Sequence, residues 1–181
     1  QSSLFDVDCP ELFSFAENAF TYSGILSGLE HFYANASESF VLCGLSLGAL
    51  LALDYTIRHP EQISSLILVG AQYKVPTRLI DFQNLIFRCM PENAFTDMGL
   101  SKHDTIKLSH SMRMLDFSPK LSEIHCPVSV ICGKKDRANL KATKQLHALL
   151  PQSHLHIIPG AGHEVNKDAP KALAALIENC I

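Results

Sequence analysis

Apolar positions change period several times along the chain. From Tyr22 they fall at Tyr22, Ile25, Leu26, Leu29, Phe32 and Tyr33, one face of a 3.6-residue repeat, with Thr21 placed to cap it. Ser39 to Gly44 reads as a short buried strand. Leu47 to His59, apolar on almost every side for two turns, reads as a helix that must pack beneath other structure. Ile63 to Val69 and Pro127 to Cys132 are further strand-like runs, each ending at glycine and a polar loop, and Leu155 to Ile158 makes a fourth. Helical patterns follow at Leu140 to Leu150 and at Ala169 to Ile181, the second with Asp168 as its cap and Pro170 in its first turn. Strand and helix alternate, which predicts an α/β fold: a mostly parallel sheet with crossover helices.

Thr77 to Ile124 breaks the alternation, since it holds helical patterns and no convincing strand. Ser101, with Asp104 three residues on, resembles a capping box at the start of one such helix. All four methionines (Met90, Met98, Met112 and Met114) fall in this segment, with Phe82, Phe87 and Phe95. Either it is a helical excursion with its own satellite core, or it is a lid whose flexible thioethers, Met90, Met112 and Met114 among them, line an apolar substrate pocket.

Length and composition narrow the picture. At 181 residues and 47% hydrophobic content the chain can bury one sizeable core and is short for two domains, so residues 1–181 are expected to form a single domain with 77–124 as an insertion. A net charge of −3, with basic residues scattered, offers no stripe for nucleic acid or an anionic membrane, and a small-molecule partner fits better. No apolar run approaches the roughly 18 residues that cross a bilayer, and the first residues lack the zones of a signal peptide. Cys43 and Cys132 lie in strand-like apolar runs, so the six cysteines are expected as reduced thiols, two of them buried, in a cytoplasmic protein.

Gly44, Leu45, Ser46, Leu47 and Gly48 spell G-x-S-x-G, which chance alone would produce in roughly one chain in fifteen of this length. Its setting is more telling, because it joins a buried strand directly to a buried helix and so places Ser46 on a sharp turn at the sheet's edge. A serine hydroxyl needs a base to take its proton, and the base needs an acceptor to hold it in one tautomer. Asp136 follows the strand Pro127 to Cys132 and His163 follows the strand Leu155 to Ile158. Ser46, Asp136 and His163 thus stand in the order nucleophile, acid, base, each just beyond the carboxyl end of a separate strand, where ligands of open α/β sheets gather.

On these residues the chain resembles the α/β-hydrolase family, and "GLSLGALLALDYTIRHPEQISSLILVGA" is similar to its small bacterial esterases and enol-lactone hydrolases. Gly44 to Gly48 resembles the family's nucleophile elbow, "CGKKDRAN" its acid loop and "IPGAGHEVNKDAPKAL" its histidine loop and last helix, while 77–124 occupies the place of its variable lid. The resemblance implies a covalent acyl-enzyme mechanism on Ser46, needing neither metal nor organic cofactor, with the backbone N–H of Leu47 as one oxyanion donor. The second donor comes in the family from a loop commonly marked by His-Gly, a pair that this sequence does not contain. Ser3 to Asp8 resembles the strand after that loop, so the family's opening strands are expected to be missing and the sheet reduced at its N-terminal side.

The reading that follows is a serine hydrolase acting on an ester, thioester or lactone of a small apolar acid. A lyase or carbon–carbon bond hydrolase using the same triad, or a hydrolase-like fold that binds a ligand with little or no turnover, remains an alternative. His154 and His156, two apart on a strand, share a side but have no third metal ligand suitably spaced. Glu164 competes with Asp136 for the acid only by its proximity to His163.

Overall fold

The computed structural model describes residues 6–16 and 20–180, with the backbone alone at Leu79, Thr96, Asp97 and Met98. Among them the strands are β1 (Phe40–Leu45), β2 (Ile63–Val69), β3 (Val128–Gly133) and β4 (Ser153–Ile158), and they form one sheet in that order, every pairing parallel. The four expected strands are all present, within two residues of their expected ends. β2 and β3 are central and buried along nearly their whole length, which is why both are mostly apolar, with serine as their one polar residue type. β1 and β4 are the edges.

Helices cover the β1–β2 and β3–β4 connections. α2 (Leu47–Arg58) packs against β1 and β2, with Ala49 through Ile57 buried, and α5 (Leu140–Leu149) packs against β3 and β4. On the opposite face the short α6 (Val165–Asp168) and α7 (Pro170–Glu178) contribute Val165 and Leu173 to a cluster with Ile67, Val69, Ile131 and Ile158. Asp54 is the charged residue on the buried stretch of α2, Ala49 to Ile57. It is tolerated because Arg58, one turn on, donates to its carboxylate at 2.8 Å.

Contacts divide the chain into two compact units. The sheet, its helices and the 3-10 turn Ser118–Glu123 belong to one, built from Asn35–Val75 and Met114–Ile181. The other gathers residues up to Ala34 with Pro76–Arg113 and is helical: α1 (Tyr22–Phe32), α3 (Thr77–Cys89), the 3-10 run Glu92–Met98 and α4 (Lys102–Ser111). Thr21 caps α1 by accepting from the Gly24 amide at 3.1 Å, and Ser101 caps α4 by accepting from Asp104 at 3.0 Å, as expected. A small core forms in this unit, where Phe95 is fully buried and its ring meets Phe87 edge-on at 5.5 Å. Of the segment 77–124, residues up to Arg113 group with the helical unit and the rest with the sheet.

Three expectations change. Of the strand expected over Ser3 to Asp8, Ser3, Leu4 and Phe5 lie outside the described residues, and Asp6, Val7 and Asp8 form no strand. Cys43 is exposed, unlike buried Cys132, because β1 is an edge strand among the described residues and its α7-side face is only partly covered. The last helix keeps Pro170 in its first turn but starts there, one residue later than expected, with Ala169 at its N-cap position, and Asp168 ends α6 with its carboxylate turned elsewhere. The final residue expected in that helix, Ile181, lies outside the described residues.

Candidate active site

Ser46 joins β1 to α2 with φ 58° and ψ −113°, and no other non-glycine residue among those described has a positive φ. Such a backbone costs about 1–3 kcal/mol and persists only where its surroundings impose it. Here the amide of Ser46 donates to the Val69 carbonyl at 2.9 Å, tying the turn to the end of β2. A serine at a helix N-cap ordinarily spends its hydroxyl on a backbone amide. Ser46 makes no such bond, and its Oγ instead lies 2.9 Å from His163 Nε2.

The two glycines of the motif are unequal. A Cβ at Gly44 would collide with the carbonyl of Gly48 and stand 2.6 Å from the amide nitrogen of Ala49, whereas a Cβ at Gly48 would meet nothing within 4 Å. The close backbone approach at the elbow falls on Gly44 alone.

The loops carrying Asp136 and His163 are zipped together. Lys134 and Lys135 donate their amides to the carbonyls of Ile158 and Ala161 at 2.9 and 2.8 Å. Gly133 makes the approach possible, since a Cβ there would come within 2.5 Å of the Ala161 carbonyl oxygen. The carboxylate of Asp168 accepts from the Gly162 amide at 2.6 Å, so the residue expected to cap α7 instead braces the histidine loop from behind. His163 Nδ1 then lies 2.8 Å from Asp136 Oδ2. A carboxylate can only accept, which puts the proton on Nδ1 and leaves the Nε2 lone pair facing the Ser46 hydroxyl.

Asp136 is buried at 3% side-chain exposure, while His163 is 40% exposed. Burial pushes the Asp136 carboxyl up, but the hydrogen bonds from His163 and from the side chain and backbone of Asn139 outweigh it, and the pKa is lowered. A carboxyl that titrates lower in the folded state contributes stability present above its unfolded value and lost as the pH falls through the folded one. The urea midpoint of the wild type is therefore expected to drop between about pH 5 and pH 3 by more than that of Asp136→Asn. An equal drop in both proteins would contradict this assignment.

Three residues of the site carry no motif. Gly70 ends β2 at φ 59°, and a Cβ there would lie 3.2 Å from both Cε1 and Nδ1 of His163 and 3.5 Å from Asp136 Oδ2. Gly70→Ala is expected to strain the backbone and push the imidazole, lowering kcat about tenfold or more while KM stays within about twofold; steady-state kinetics on a short-chain ester checks it. Asn139 is buried beside Asp136, and Gln72 donates to the Asn139 side-chain oxygen at 2.9 Å. A glycine directly after a strand was the visible signal for Gly70. Asn139 ends the stretch "CGKKDRAN", but nothing in the sequence marked it or Gln72 as part of the site.

Glu164 pairs with Lys167 at 2.6 Å. Cys132 is buried, and burial pushes its thiol up, which disfavours a thiolate. His154 is exposed and His156 half-buried, and among the described residues no group of three or more His, Cys, Asp or Glu could hold a metal ion. Met90 and Met112 are half-buried in the helical unit, and Met114 is 83% exposed on the sheet unit. Leu47 is the first residue of α2, so its amide has no intrahelical acceptor.

A family model described as "Serine aminopeptidase, S33" matches residues 25–120, more than half of the chain, including the elbow and ending before Asp136. A curated relative in Escherichia coli, named "Putative carbamate hydrolase RutD", is 25% identical over 187 residues, covering 86% of this chain and 67% of its own length. An esterase from Exiguobacterium antarcticum superposes with a TM-score of 0.76 at 19% identity, over 90% of this chain and 74% of that one. An enol-lactonase from Burkholderia xenovorans gives 0.74 at 17% identity, over 88% and 72%. These likenesses identify the fold as that of the α/β hydrolases.

Proposed function

The chain belongs to the serine aminopeptidase S33 family of hydrolases, and from that premise we propose that Ser46, His163 and Asp136 act together as nucleophile, base and orienting acid in acyl transfer to water. The observation that carries this is the continuous set of hydrogen-bond contacts Ser46 Oγ to His163 Nε2, 2.9 Å, and His163 Nδ1 to Asp136 Oδ2, 2.8 Å, starting from a strained elbow. Ser46 Oγ attacks the acyl carbonyl and its proton passes to Nε2. The imidazolium so formed is held by the Asp136 carboxylate and then protonates the leaving group. Water, deprotonated by the same imidazole, attacks the acyl-serine and regenerates the hydroxyl. The carbonyl oxygen bears negative charge in both steps, and the amide of Leu47 at the start of α2 is the donor we assign to it, worth about 3 kcal/mol.

This chemistry needs no cofactor. An ester, thioester or lactone of a small, apolar acid is the substrate class we favour, in a protein of the cytoplasm. Esterase and enol-lactonase neighbours support the class. The relative's name favours a carbamate as the second substrate reading, in which the same attack leaves a carbamoyl-serine.

Labelling by a fluorophosphonate is the direct test, and it is expected in the wild type and absent in Ser46→Ala. No labelling of the folded wild type would overturn the nucleophile assignment. Labelling without hydrolysis of short-chain aryl esters, lactones or aryl carbamates would move the reading to a ligand-binding protein or to a lyase on the same fold.

A further inference from the structure

Asp136 receives more hydrogen bonds than a triad requires. The Asn139 side-chain nitrogen lies 3.1 Å from Oδ1 and 2.9 Å from Oδ2, and the Asn139 backbone amide donates to Oδ1 at 3.2 Å. With His163, the carboxylate thus has donors on both oxygens. The same nitrogen lies 3.0 Å from His163 Nδ1, but both are donors converging on Oδ2, so this short distance follows from their sharing an acceptor and is no bond between them.

The chemistry fixes the direction of every link. An ionised carboxylate accepts only, so Asn139 must present its NH2 to Asp136 and its oxygen to the other side. There Gln72 meets that oxygen and must present its own NH2, at 2.9 Å. The links run Gln72 to Asn139 to Asp136 as donations, and Asp136 accepts from His163, which accepts from Ser46. Protonating Asp136 would put a hydrogen on an oxygen already facing donors. Asn139 is also buried at 8% exposure, so its amide has little water with which to exchange these partners.

We infer that Asn139, oriented by Gln72, is a positioning residue that locks the Asp136 carboxylate in place and keeps it ionised, so that the proton from Ser46 stops at His163. This rests on the triad reading above. Its distinguishing feature is that the lock works through donors, so shape alone will not replace it.

Asn139→Asp keeps the size and the acceptor for Gln72 but sets an acceptor against Asp136. It is expected to slow fluorophosphonate labelling and kcat for an aryl ester about tenfold to a hundredfold, the range for a lost hydrogen bond to a charged group, with KM unchanged within about twofold. Gln72→Leu is expected to cost less, about threefold, and the double variant to be no slower than Asn139→Asp, because both changes act through one amide. Asn139→Ala, read alongside by thermal unfolding, keeps the test open should the carboxylate variant fold poorly. Labelling of a folded Asn139→Asp or Asn139→Ala protein at the wild-type rate, or losses from the two sites that multiply, would overturn the lock. Labelling that persists in Ser46→Ala overturns the triad reading itself, a separate outcome that the Asn139 variants cannot mimic.

Discussion

Ser46→Ala is expected to lower kcat/KM for a short-chain aryl ester by about 10⁴- to 10⁶-fold, the range seen when a triad nucleophile is removed and only binding and backbone donors remain. The size of the effect follows from the roles of the parts: the Asp136 and His163 loops stay zipped by backbone bonds that the hydroxyl does not touch, yet no group is left for the imidazole to deprotonate. Stability should separate from activity. Alanine inherits the φ of 58° and should unfold at nearly the wild-type urea midpoint, whereas Ser46→Gly, which adopts that backbone freely, should be more stable by about 1 kcal/mol and equally inactive. An alanine variant retaining a tenth of the activity would remove Ser46 from the chemistry. A glycine variant no more stable than alanine would show the elbow to be unstrained.

The largest effect on stability is expected at Gly44. A methyl group there must displace the backbone of Gly48 and Ala49, and backbone held in a helix that is buried along its length has nowhere to move. Opening the elbow would also break the Ser46 amide bond to Val69. Gly44→Ala should cost more than about 3 kcal/mol, enough to leave much of the chain unfolded. Gly48→Ala supplies the contrast, because its methyl group meets open space in the first turn of α2, where alanine is the better helix former by about 1 kcal/mol. Urea unfolding followed by circular dichroism reads both. Equal tolerance at the two positions would contradict the geometry described for the elbow.

Much of this arrangement was legible from the chain alone, for identifiable reasons. β2 and β3 announced themselves because strands covered on both faces are mostly apolar. That Ser46, Asp136 and His163 stand together was legible because each follows the carboxyl end of a strand, and strand ends in a parallel sheet converge on one rim. Cys43 was misjudged because an apolar run does not say whether its strand is central or at an edge, which depends on pairing across long sequence separations. Asp168 looked like a cap because aspartate before proline at a helix start commonly is one, while its bond to Gly162 depends on a loop folding back. Gln72 and Asn139 are 67 residues apart and follow different strands, so only the assembled sheet brings their amides to 2.9 Å.

All four strands run the same way, so Ser46, Asp136 and His163 hang from turns and loops at one rim of the sheet, and the opposite rim carries none of them. The returns at Pro60–Gln62 and at Pro151 with Gln152 belong to that second rim, where Pro60, Glu61, Pro151 and Gln152 are exposed. The contacting side chains are thereby separated in space from these exposed returns, so a residue added at Pro60–Gln62 or at Pro151 and Gln152 would lie a full strand length from Ser46, Asp136 and His163.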